Sequence, residues 1–94
     1  MKSQVTEDFW DLFSKLPERI KGQARKSYQL WKANPAHPGL HFKRIHSQET
    51  MYSVRVGIGW RVLGLLEGDT MTWFWIGSHA DYDNLLTRLC EQFR

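Results

Sequence analysis

Ninety-four residues allow one small domain with a single modest core. The lone cysteine, Cys90, excludes an intramolecular disulfide framework and suits a reducing cytosol. No charge-free apolar run approaches a membrane span and Met1-Lys2-Ser3-Gln4 holds no apolar signal core, so a soluble, cytoplasmic chain with no membrane partner is expected.

Taken in order, Thr6 is placed to cap a first helix, with Glu7 and Asp8 complementing the dipole of its first turn. Val5, Phe9, Leu12, Phe13 and Leu16 follow at helical spacing, and Leu16-Pro17 ends the helix. Pro17 suits the start of a second helix that runs to about Ala33, with Ile20, Ala24, Tyr28 and Trp31 on one face and Lys21, Arg25 and Lys32 on another. The two helices read as an antiparallel hairpin that must dock on something else. Asn34-Pro35-Ala36-His37-Pro38-Gly39 is a loop, Leu40 to Ile45 a short alternating strand, and His46 to Thr50 a polar turn.

Met51 to Leu66 is the organising stretch. Tyr52, Val54 and Val56 alternate with Ser53 and Arg55; after Gly57-Ile58-Gly59, Trp60 and Val62 alternate with Arg61 and Leu63. A three-residue loop with a left-handed glycine pairs Val56 with Trp60 and Arg55 with Arg61. The two arginines then sit side by side on one face, which is destabilising unless an anion lies between them. A two-residue turn would instead put them on opposite faces. Beyond Glu67-Gly68-Asp69, Met71 to Ile76 is an aromatic strand with little alternation, expected to be central and covered on both sides. Gly77-Ser78-His79 breaks it, and Asp81 opens a last helix with Tyr82, Leu85, Leu86, Leu89 and Phe93 on its buried stripe. The fold class is α+β: an amino-terminal helical hairpin packed on one face of a three- to four-stranded antiparallel sheet, with a carboxy-terminal helix.

Charge is concentrated in the middle of the chain. Ten lysines and arginines lie from Lys15 to Arg61, against Glu18 and Glu49. Such a stretch serves a polyanion, nucleic acid or an acidic protein segment, or is simply a set of solvated faces. If the second sheet face is an open groove, Lys43, Arg55 and Arg61 project there and His79 emerges beside them. Arginine forks bind phosphate oxygens, and an imidazole can pass protons near neutral pH. RNA cleavage requires only a base for the 2′-hydroxyl, an acid for the leaving oxygen and cations for the phosphorane charge, with no metal and no cofactor.

Each of these residues also has a plainer role. Arg55 and Arg61 suit a solvated sheet face, His79 a strand-to-helix junction, and Tyr82 the core stripe. Lys43 and Arg44 are neighbours and cannot both face one groove. His37 and His41 share an H-x3-H spacing, but they sit in a Pro/Gly loop without a completing carboxylate or thiol, so no metal site is read there. Cys90, without a basic neighbour, reads as a structural residue.

Four segments together resemble the RelE/ParE superfamily of toxins from bacterial type II toxin–antitoxin systems. They are Leu-Pro-Glu-Arg-Ile…Ala-Arg-Lys-Ser-Tyr, Asn-Pro-x-His-Pro-Gly-Leu-His-Phe-Lys-Arg-Ile, Tyr-Ser-Val-Arg-Val…Trp-Arg-Val-Leu and Trp-Phe-Trp-Ile-Gly-Ser-His-Ala-Asp-Tyr-Asp. The resemblance runs from about Phe9 to Leu89, nearly all of a single toxin domain spanning 1–94, and rests on the order and spacing of loose motifs. It implies a toxin held inactive by a cognate antitoxin, with RelE-like members cleaving mRNA on the ribosome without metal. Carried over position by position, it implies catalytic roles for Arg55, Arg61, His79 and, at a shorter spacing, Tyr82. Lys43 and Arg44, from the basic stretch, are expected as RNA- or phosphate-binding residues. Ser53 stands where strongly basic members carry a second lysine. The alternatives are a ParE-like inhibitor of DNA gyrase without nuclease chemistry, and an antitoxin-binding module without toxicity.

Overall fold

The computed structural model describes residues 1–45 and 50–92. The polar turn expected at His46 to Thr50 therefore lies outside the described residues except for Thr50, as do Phe93 and the side chains of Leu89 and Cys90.

The chain opens with a strand, not a helix. Strand β1 (Lys2–Val5) is followed by α1 (Glu7–Ser14), α2 (Glu18–Ala33), a tight helical turn at Pro38–Leu40, β2 (Lys43–Arg44), β3 (Met51–Val56), β4 (Trp60–Glu67), β5 (Thr70–Ser78) and α3 (His79–Gln92). The five strands form one sheet in the order β1-β5-β4-β3-β2, so the expected count of three or four is too low. The sheet is also not purely antiparallel, because β1 runs parallel to β5 with Lys2 opposite Thr70 and Val5 opposite Trp73. Val5 thus belongs to an edge strand, and the helical stripe begins at Phe9. Thr6 caps α1 as expected, its hydroxyl accepting from the Phe9 N–H at 3.1 Å.

The expected helical hairpin is corrected in part. Helix α1 lies over β5 and α2 over β3, and between them is an apolar groove of about 560 Å³ floored by Val54, Val62 and Trp73 and walled by Phe9, Phe13 and Trp31. Below it the first core joins Phe9, Ala24, Trp31, Leu40, Val54, Val56, Val62, Met71, Trp73 and Ile76. Trp31 is only 1% exposed and meets Trp73 edge to face at 5.0 Å, a favoured geometry for aromatic pairs.

The third helix does not join the other two. Tyr82, Leu85 and Leu86 of α3 pack on Ile45, Met51, Leu63, Phe74 and Trp75, forming a second core on the opposite sheet face. A bulge in β5 prepares that face. Leu63 pairs with Trp75 and Gly64 with Trp73, leaving Phe74 with no residue opposite. The extra residue lets Trp73 and Ile76 serve one core while Phe74 and Trp75 serve the other. Beta-strand β5 is covered on both sides, as its sequence indicates, although β4 is the middle strand.

Gly64 is fixed by this packing. A β-carbon there would lie 2.6 Å from the Trp73 ring and 2.7 Å from Met71 Sδ. Gly64→Ala is expected to destabilise the fold by ~1–3 kcal/mol through overpacking, seen as a lower urea midpoint. An unchanged midpoint would mean that Trp73 moves aside freely.

Candidate functional site

The β3–β4 hairpin follows the register expected from sequence. Val56 pairs with Trp60 and Arg55 with Arg61. Gly57 has φ +58, the left-handed conformation that glycine adopts without steric penalty. A substituent on Gly57 would also meet the Gln23 side chain of α2, which packs against the turn. Tyr52, Val54, Val56, Trp60 and Val62 face the first core, so Arg55 and Arg61 stand together on the α3 face.

Their surroundings differ. Arg55 Nε donates to the Gly57 carbonyl at 2.8 Å, and Arg55 Nη1 lies 3.4 Å from His41 Nε2. Arg61 is held over the ring of Tyr82, its guanidinium carbon 5.8 Å from the ring centroid. Arg61 Nη1 is buried with no hydrogen-bond partner among the described residues, and so is the hydroxyl of Ser53. Ser53 is 0% exposed and pairs with Leu63, which makes it a diagonal neighbour of Arg61 on the same face. Buried donors left unpaired are unfavourable by about 1–3 kcal/mol each.

His79 is the first residue of α3, two positions earlier than the helix start read from Asp81. Its backbone N–H donates to the Gly59 carbonyl at 2.7 Å, tying the helix start to the hairpin loop. Ser78, not His79, caps the helix: its hydroxyl accepts from the Asp81 N–H at 3.1 Å. The half-exposed His79 side chain places Nε2 3.5 Å from Asp83 Oδ2 and its ring 5.9 Å from that of Tyr82. Tyr82 itself is 6% exposed and belongs to the second core. Its ring lies beside both Arg61 and His79.

The open groove expected on this face is narrower than anticipated, because α3 covers its far half through Ile45, Met51 and Leu63. Lys43 pairs with Ser53 and so shares the face of Arg55; Arg44 pairs with Tyr52 and falls on the opposite face. Arg44 therefore does not share the face of Arg55 and Arg61. His41 lies beside Arg55. Its backbone is left-handed, with φ 47 and ψ 41, rare for a residue other than glycine. His37 does something else, its Nδ1 accepting from the Gly39 N–H at 3.0 Å. No local sequence signal links His41 to Arg55; only the fold brings them together.

Solved structures share this fold. A chain of the RelB–RelE antitoxin–toxin complex from Methanococcus jannaschii superposes with a TM-score of 0.70 at 16% identity, over 86% of this chain and 95% of that one. YafQ from Escherichia coli gives 0.69 at 14% identity, over 86% and 96%. A YoeB/ParE toxin from Agrobacterium tumefaciens gives 0.66 at 15% identity, over 84% and 99%. No curated protein matches the sequence. Residues 18–84 match the model of the ParE-like toxin domain, and the chain belongs to that family, within the RelE/ParE superfamily. Among the described residues no helix is long and apolar enough to cross a membrane.

Proposed function

We propose that this toxin is a ribosome-dependent mRNA endonuclease that works without metal. The observation that carries the reading is the arginine pair of the hairpin, with His79 at its end. Opposed like charges are unfavourable on a sheet, and a phosphodiester between Arg55 and Arg61 removes that penalty. The two guanidinium groups neutralise the extra charge of the phosphorane, and Lys43 adds a third cation from the same face. His79 moves a proton as general acid or base, while Tyr82 positions Arg61 and His79. The expected partners are mRNA on the ribosome and a cognate antitoxin.

An antitoxin partner is supported by the neighbours, which include antitoxin–toxin complexes from Methanococcus jannaschii and Mycobacterium tuberculosis. The groove between α1 and α2 has an apolar floor, with Arg25 and Lys32 among its lining residues. That combination suits a helical antitoxin segment carrying apolar and acidic side chains.

Purified protein added to a reconstituted translation extract is expected to produce mRNA cuts confined to ribosome-engaged codons, mapped by primer extension. Intact mRNA and normal translation would remove the nuclease reading. The second reading is ParE-like inhibition of DNA gyrase, kept because residues 18–84 match the ParE-like toxin domain. Stabilised gyrase–DNA cleavage complexes in arrested cells with translation intact would select it. Harmless overexpression without antitoxin would instead point to a binding module without toxicity.

A further inference from the structure

We propose that His41 is the general base of the cleavage, acting from the opposite end of the arginine pair to His79, the acid. The assignment rests on the nuclease reading and adds a residue and a direction to it.

Three observations carry it. The first is order across the sheet. His41 precedes β2, Arg55 lies on β3, Arg61 on β4, and His79 follows β5. An imidazole therefore stands at each end of the two-arginine row. In-line displacement at phosphorus places the attacking and leaving oxygens on opposite sides, so its base and acid must also approach from opposite sides.

The second is where the protons sit. His41 Nε2 faces Arg55 Nη1 at 3.4 Å. A guanidinium can only donate, so in that contact His41 Nε2 is the acceptor. His79 Nε2 faces the Asp83 carboxylate at 3.5 Å. A carboxylate can only accept, so in that contact His79 Nε2 is the donor. One ring is set to take a proton and the other to give one.

The third is conformation. His41 is an exposed, non-glycine residue in the left-handed region. Backbone strain of this kind concentrates at functional sites. The same Arg55 that meets His41 is anchored to the hairpin through Gly57, which fixes the direction from which the imidazole meets a phosphate held by Arg55.

The step balances without a co-reactant. Arg55 Nη1 turns from His41 Nε2 to a phosphate oxygen, which frees the Nε2 lone pair, and the 2′-hydroxyl gives its proton to Nε2 as the 2′-oxygen bonds to phosphorus. The bond from phosphorus to the 5′-oxygen breaks, and that oxygen takes the proton from His79. The products are a 2′,3′-cyclic phosphate and a 5′-hydroxyl, and solvent restores the two imidazoles.

The test uses His41→Gln and His41→Asn in single-turnover cleavage of ribosome-bound mRNA. Glutamine keeps an acceptor for Arg55, and asparagine tolerates the left-handed backbone. Neither can take up a proton. Both are expected to cleave ~10²–10⁴-fold more slowly, with binding to the mRNA–ribosome complex and the thermal midpoint unchanged. Cleavage by His41→Gln at near the wild-type rate would reduce His41 to a prop for Arg55 and overturn the assignment while leaving the nuclease reading intact. No cleavage by the wild type would overturn both.

Discussion

His79→Gln is expected to lower mRNA cleavage by roughly 10²–10⁴-fold, the usual effect of losing one acid–base group, while the chain stays folded. The contacts that start α3 are not made by the His79 side chain. The helix is capped by the Ser78 hydroxyl, and the hairpin is tied by the backbone N–H of residue 79, which glutamine retains. The imidazole is half exposed and contributes to neither core. Substitution at such a position usually changes stability by less than about 0.5 kcal/mol, or a few degrees in a domain of this size. The paired measurements are primer extension on ribosome-bound mRNA and thermal unfolding of the purified variant. A folded His79→Gln protein that cleaves like wild type would remove His79 from the mechanism. Lost cleavage with a collapsed melting curve would instead make it a residue of the fold.

What the sequence could reveal depended on how local the cause was. The pairing of Arg55 with Arg61 is set by a loop of known length containing a glycine at positive φ, all within seven consecutive residues from Arg55 to Arg61, so it was readable. The cap at Thr6 is local in the same way. Strand β1 was not readable, because Val5 sits at helical spacing from Phe9 and its pairing partner, Trp73, lies near the other end of the chain. The amphipathic stripe of α3 was plain, but the sheet face it covers depends on the bulge at Phe74. An aromatic run such as Met71 to Ile76 has no alternation in which an inserted residue could be seen. His41 was the most hidden. Its spacing to His37 yields no metal site and points to no other partner, whereas its contact is with Arg55, 14 residues away in sequence.

The second large effect is expected at Arg61, where function and stability should part. Its Nη1 is buried without a partner among the described residues, and Arg55 stands directly opposite. Methionine preserves an unbranched apolar stem over Tyr82 and removes both the unpaired donor and the opposed charge. Against this stands the attraction between the guanidinium and the Tyr82 ring, about 0.5–2 kcal/mol. The unpaired donor is unfavourable by about 1–3 kcal/mol, and like-charge opposition adds to it. Arg61→Met is therefore expected to raise stability by about 1 kcal/mol, or roughly 4–8 °C in melting temperature. Cleavage should fall by at least ~10²-fold, because no side chain then supplies the second fork to the phosphorane. Thermal unfolding and single-turnover cleavage on the same preparation measure both quantities. A lower melting temperature would show that Arg61 is needed to hold Tyr82 and the second core. Retained cleavage would remove it from the phosphate site. A more stable but inactive variant would mean that the fold tolerates an unfavourable arginine pair because a bound phosphate relieves it.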